Sequence, residues 1–196
     1  MNSILPLRAR LSMYDEHGIL SSESLHITFN DSNGDQHPTL NKNDWVKDAL
    51  AKGAAGESAV ELFLKRKYNA YVVKKPDYVG CDYYVEMRDE KRYVEVKTSS
   101  HNHFYISRNE ILKSRDYGDE YYIYYVQANV INDEISCKRL FVIQNPFDYF
   151  GLAWIDSADT ANDTAVIKVQ AIEISFNEVS NFLEEKDFED YIKVQR

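Results

Sequence analysis

The chain predicts an α/β fold in which a mixed sheet is flanked by helices, and three observations predict it. Short runs dense in aromatic and β-branched residues, such as Tyr121-Tyr-Ile-Tyr-Tyr-Val126, read as strands. They alternate with stretches of helical spacing, of which Val60, Phe63 and Leu64 are the clearest. At 196 residues, with 44% hydrophobic and 28% charged residues, the chain can bury roughly 70% of its unfolded surface in one core.

Taken in order, residues 1–52 read as an N-terminal arm, with a strand at Leu25–Phe29 and then Asn30-Asp-Ser-Asn-Gly-Asp-Gln-His-Pro38, which is dense in turn formers. A helix is predicted from about Ala54, ending in Lys65-Arg-Lys67 where cations complement its dipole. Tyr71-Val-Val73 is a short strand, and Pro76 and Gly80 punctuate a loop. Strands Asp82–Arg88 and Arg92–Thr98 follow as a hairpin, then a strand Phe104–Ile106. Ser107 with Glu110 three residues later is a capping box, so a second helix starts there and stops at Gly118. Tyr121–Val126 and Leu140–Ile143 are strands, Asn145-Pro146 stops the latter, and the tail offers a strand Ala165–Ile174 and an acidic helix Asn177–Ile192. The expected organisation is an arm 1–52, a core 53–145 and a C-terminal extension 146–196 packed on that core. Such an order of elements is a mixed α/β layout.

The chemistry concentrates around Glu95-Val96-Lys97, preceded by Gly80-Cys81-Asp82. A period of two puts Glu95 and Lys97 on one face of their strand and Val94 and Val96 on the other. If the hairpin turn is even, for instance Asp89-Glu90 with Arg88 opposite Lys91, then Asp82 faces Lys97 and Tyr84 faces Glu95. The acids and the lysine then share a surface, whereas an odd turn without a bulge scatters them. Carboxylates so close repel one another, and a divalent cation resolves the repulsion. Carboxylate oxygens suit Mg²⁺ (or Mn²⁺), which keeps several waters and shares its shell with phosphate oxygens. Phosphodiester hydrolysis is the reaction this set would serve, with Lys97 orienting water or stabilising charge. On a helical wheel Glu57 lies about 65° from the apolar direction and Glu61 about 105°, so Glu57 is nearer the sheet. Glu57 also reads as a first-turn residue stabilised by the helix N-terminus.

The run Gly56-Glu57, Gly80-x-Asp82, Glu95-Val-Lys-Thr98, Phe104-x-Ile-Ser-x-Asn-Glu110 and Tyr122-x-Tyr-x-Val126 resembles the NO VEIN C-terminal-like domain. That domain is a branch of the PD-(D/E)xK nuclease superfamily, which includes Mrr-like and other restriction nucleases. The resemblance implies a restriction-endonuclease-like core, Glu57, Asp82 and Glu95 as metal ligands, and Lys97 as the catalytic lysine. It spans Gly56–Val126 and leaves the arm and tail outside. Pro76-Asp77 also spells the motif's first two letters, but in an apparent loop, so Asp77 ranks below Asp82.

Other features read as structural. His101 and His103 lack a third metal ligand nearby and suit a loop after the active strand. Cys81 has no indicated histidine partner and suits a small buried residue. The tyrosines at 121, 122, 124 and 125 divide between two sheet faces, although aromatic side chains can stack on bases. The terminal acids Glu184, Glu185, Asp187, Glu189 and Asp190 read as a solvated face, with a DNA-mimicking or partner-docking surface as the sharper alternative.

With 23 Lys and Arg against 32 Asp and Glu, the net charge of -9 excludes a uniformly basic nucleic-acid binder. Between Glu57 and Arg115, however, there are 12 basic and 9 acidic residues, so the catalytic segment is locally positive. Two distant cysteines argue against a disulfide scaffold, and no apolar run reaches membrane-spanning length, so a cytoplasmic protein is expected. The expected activity is metal-dependent cleavage of DNA rather than RNA, of a restriction or phage-defence kind, by a homodimer or with a partner protein. The alternative is a catalytically silent adaptor subunit with the nuclease fold.

Overall fold

The computed structural model describes residues 42–196 except 77–78, 132–133, 158–159, 162–165, 168–169, 177–181 and 193–196. The expected strand at Leu25–Phe29 and Asp77 lie outside the described residues.

Six strands form the main sheet: β1 (Tyr71–Lys74), β2 (Tyr83–Met87), β3 (Glu90–Ser99), β5 (Tyr121–Ile131), β6 (Glu134–Gln144) and β10 (Leu183–Glu184). They stand in the order β1-β2-β3-β5-β6-β10. β3 and β5 run parallel while every other neighbouring pair is antiparallel. This is the mixed sheet that the sequence predicts. The parallel step requires a crossover, and it is supplied by β4 (His103–Ser107) and helix α2 (Arg108–Tyr117). β4 pairs with β9 (Ala171–Ser175), and β7 (Thr160–Ala161) with β8 (Val166–Ile167). Helix α1 (Lys42–Tyr68) packs on one face together with α4 (Phe188–Ile192), while a short helix α3 (Pro146–Tyr149) follows β6 on the other.

Because side chains alternate along each strand, the sheet separates two cores. Val60, Phe63 and Leu64 of α1 and Phe188 of α4 meet Val85, Val94, Val96, Tyr122 and Tyr124. Ile111 of α2 and Phe104 and Ile106 of β4 meet Tyr121, Ile123 and Tyr125. The tyrosine run therefore divides between the two faces as expected, and all four of its tyrosines are buried.

Several boundaries differ from expectation. The first helix begins at Lys42, not near Ala54. Gly53 and Gly56 break the helical signal, but Ala49, Ala51, Ala54 and Ala55 sustain helix around them. Gly56 serves a second purpose: a Cβ there would lie 1.8 Å from Thr98 Oγ1, so only glycine lets α1 approach β3 at this point. Glu57 is thus deep in the helix, and its expected place in a first helical turn is incorrect.

The single acidic helix expected over Asn177–Ile192 is, among its described residues, a short strand and a short helix. Its acids stay largely solvent-accessible, as expected, and several of them are also ion-paired. Lys67 Nζ reaches Glu185 at 2.8 Å and Asp187 at 2.6 Å, Arg139 pairs with Glu184 at 2.6 Å, and Lys138 pairs with Glu189 at 3.1 Å. Cations on α1 and β6 draw the acidic segment onto the sheet edge, a tertiary pairing that outweighs its local helical preference.

Candidate active site

The β2–β3 hairpin sets the site. Its turn is the two-residue Arg88-Asp89, so Met87 pairs with Glu90, two places out of the Arg88–Lys91 register used above. An even turn still preserves parity. Tyr84, Tyr93, Glu95 and Lys97 share one face while Tyr83, Val85, Val94 and Val96 enter the α1-facing core. The shift puts Tyr84 opposite Tyr93 rather than Glu95.

Asp82 sits just before β2 and is fastened by three backbone links. Its N–H donates to the Val94 carbonyl at 2.9 Å, and its carbonyl accepts from Lys75 N–H at 2.7 Å. Its Oδ2 accepts from the Val96 N–H at 2.7 Å, which ties the carboxylate to the centre of β3. Beside it lies a cavity of about 240 Å³ lined by Glu57, Gly80, Cys81, Asp82, Glu95, Ser107, Asn109 and Glu110. The structure thus brings Glu57, Asp82 and Glu95 to one concavity, and Lys97 bonds to the Glu95 that lines it.

Lys97 is shared between two carboxylates. Its Nζ lies 2.8 Å from Glu95 Oε1 and 2.7 Å from Glu110 Oε2. Burial disfavours the ammonium, but Glu95 and Glu110 more than reverse that, so Lys97 stays protonated well past neutral pH. Glu110 would be raised by burial, yet Lys97 and the Ser107 N–H at 2.9 Å hold it below the usual carboxylate range. Glu95, only 7% exposed, is pushed up, since burial and the neighbouring Glu110 and Asp82 charges outweigh its bond to Lys97. Asp82 is raised to about 6, first by burial and then by Glu57 and Glu110 against the opposing Val96 bond. Glu57 bonds Lys74 at 2.7 Å from the α1 side of the cavity.

Sequence reasoning placed Ser107 and Glu110 in a capping box, and the box is present. It did not place Glu110 in the site. The same Glu110 Oε2 that caps α2 also accepts from Lys97, and the contact arises because the crossover lays α2 over this face of β3. Gly80, with φ +80°, lines the cavity against α2, and its carbonyl accepts from the Tyr121 hydroxyl at 2.7 Å.

Cys81 is buried, and burial pushes its thiol up to about 11, so it is no nucleophile at neutral pH. His101 and His103 stack with ring centroids 5.7 Å apart at the start of β4, outside the cavity.

Among the described residues no three His, Cys, Asp or Glu side chains are grouped so that they could hold a metal ion. Mg²⁺ needs no such group, since it binds through one or two carboxylates and keeps its waters. Asp82 and Glu95 both line the cavity and fit that requirement, and burial first, then the Glu57 and Glu110 charges, raise the Asp82 carboxyl.

Known proteins bear on the same segment. Residues 55–141 match the family model described as Protein NO VEIN, C-terminal. The resemblance read from the sequence holds over that stretch, which includes Gly56, Glu57, Asp82, Glu95, Lys97 and Glu110. Among solved structures, the chain is similar to Hjc of Archaeoglobus fulgidus, a Holliday junction resolvase from an archaeal hyperthermophile. Identity is 14%, the TM-score is 0.41, and the match covers 71% of this chain and 96% of that one. No curated protein matches the chain. No described helix is long and apolar enough to cross a membrane.

Proposed function

We propose that this protein is a metal-dependent nuclease that hydrolyses phosphodiester bonds, with residues 53–145 as its catalytic core and DNA as its substrate. One observation carries the reading: Asp82 and Glu95 line the same cavity while Lys97 is hydrogen-bonded to Glu95 on that face of the sheet. Carboxylates held together in a largely buried cavity are costly to keep in a fold, and clusters of this kind mark functional sites.

Asp82 and Glu95 would hold a Mg²⁺ or Mn²⁺ ion, with Glu57 as a further ligand once released from Lys74. When bound, such an ion offsets phosphate charge and lowers the pKa of water. Lys97 acts as a cation. Two carboxylates keep its proton in place, so it stabilises negative charge growing on the phosphoryl oxygens rather than serving as a base. Glu110 holds the ammonium from the α2 side and orients it toward the cavity. Cleavage of both strands of a duplex by one such site per chain would call for two copies.

The test is incubation of the protein with single- and double-stranded DNA and RNA in Mg²⁺ or Mn²⁺, beside Glu95→Ala and Lys97→Ala. Metal-dependent cleavage that disappears in both variants is the expected result. Cleavage that survives both refutes the assignment, and silence toward every substrate favours a binding subunit of the same fold.

A further inference from the structure

Beside the cavity runs a strip of aromatic and cationic side chains that the reaction itself does not use. Tyr93 lies two residues before Glu95 on the same face of β3. Tyr84 pairs with it across the hairpin, their ring centroids 5.6 Å apart, and Tyr117 of α2 stacks on it at 3.7 Å and 12°. A lysine closes each end: Lys75 Nζ is 5.3 Å from the Tyr84 ring and Lys113 Nζ is 5.8 Å from the Tyr117 ring.

The strip adjoins the cavity on both sides. Asn109, Lys113 and Tyr117 follow one another at four-residue spacing on α2, so they lie along one helix face, and Asn109 lines the cavity. The stem of Lys113 crosses Gly80, where an added Cβ would meet Lys113 Cγ at 2.7 Å. Lys75 is joined by its N–H to the Asp82 carbonyl.

Tyr93 and Tyr117 pack by one side against the α2-side core, and two features leave the strip's polar groups open to a ligand. Neither lysine has a carboxylate partner among the described residues, whereas Lys65, Lys67, Lys74 and Lys97 each have one. None of the three phenol hydroxyls has a protein partner among the described residues, whereas those of Tyr68, Tyr121 and Tyr122 each donate to an acceptor. All three tyrosines are only half-buried.

Aromatic faces flanked by ammonium groups suit a polymer of bases and phosphates whose bases are unstacked. Bases inside a duplex are stacked on each other and cannot offer their faces. We propose that the strip Lys75, Tyr84, Tyr93, Tyr117 and Lys113 holds a single-stranded nucleic-acid segment leading into the cavity. The proposal rests on the nuclease reading for where the scissile phosphate lies.

The experiment is fluorescence anisotropy in EDTA with a labelled oligothymidine strand and a same-length duplex. The strand is expected to bind more tightly than the duplex. Tyr117→Ala and the pair Lys75→Glu with Lys113→Glu should each weaken strand binding by about ten-fold or more, the pair also flattening its salt dependence. Tyr117→Phe, which keeps the ring, should stay within about two-fold of the parent. Duplex binding as tight as strand binding, variants all within about two-fold of the parent, or no binding at all would overturn the proposal. Strand binding through these residues with no cleavage in any metal would sink the nuclease reading and leave the strip standing. Cleavage with unaltered KM in the Lys75→Glu, Lys113→Glu protein would do the reverse.

Discussion

Lys97 Nζ and Glu110 Oε2 stand 2.7 Å apart, joining β3 to the first turn of α2. The same oxygen accepts from Ser107 N–H, so one carboxylate caps a helix and holds a buried cation. Glu110→Gln keeps a cap acceptor but removes the charge. It should lower stability by about 1–3 kcal/mol and slow metal-dependent cleavage. Denaturant melts and single-turnover rates check this, and an unaltered variant in both would show the pair to be incidental.

Asp82 predicts how stability depends on pH. Its folded pKa is raised, to about 6 against an ordinary 3.8, so the folded state binds the proton more tightly than the unfolded state. Metal-free protein should therefore gain stability from this group as pH falls from about 7 to 4 and lose it as pH rises through 6, by up to about 2–3 kcal/mol. Asp82→Asn should raise the melting temperature at pH 7.5 in EDTA while abolishing cleavage. A parent and variant that melt together across that range would contradict the burial argument.

Added Mn²⁺ should raise the melting temperature of the parent, because a ligand that binds only the folded state stabilises it by mass action. The shift should vanish in Asp82→Asn and shrink in Glu95→Gln. An equal shift in all three proteins would place the ion elsewhere.

Gly56 and Thr98 predict a coupled pair. Gly56→Ala drives a Cβ into Thr98 Oγ1 and should cost about 2–4 kcal/mol. The Thr98 hydroxyl is buried with no hydrogen-bond partner among the described residues, so Thr98→Ala alone should be mild. The double variant should recover most of the loss, and additive costs in a double-mutant cycle would refute the contact.

Lys67 draws Glu185 and Asp187 together, and Lys67→Met should lower the melting temperature at low salt, with the difference shrinking at high salt. A difference independent of salt would point to packing of the lysine stem on Phe63 and Tyr68 instead.

Strand pattern was legible in the sequence where chemistry acts locally. Alternation along β3 predicted that Glu95 and Lys97 share a face, and the Ser107–Glu110 box predicted where α2 begins. The hairpin register was not legible, because Asp89-Glu90 and Arg88-Asp89 both give even turns. Both put Tyr83, Val85, Val94 and Val96 on the α1 side, so alternation along the strands does not select between them. The start of α1 was missed because two glycines mimic a helix end. The acidic tail was misread because its cationic partners, Lys67, Lys138 and Arg139, are distant in the chain.

By itself the sequence determined a mixed α/β protein and put Asp82, Glu95 and Lys97 forward as its candidate site, since strand parity and residue type are local properties. Tertiary structure decided that Glu110 shares Lys97, that Glu57 answers to Lys74, and that Tyr84, Tyr93 and Tyr117 form one strip. These relations join α1 to β1 and the hairpin to α2. Those made by α2 exist only once the parallel β3–β5 step lays the crossover over the face that carries Lys97 and Tyr93.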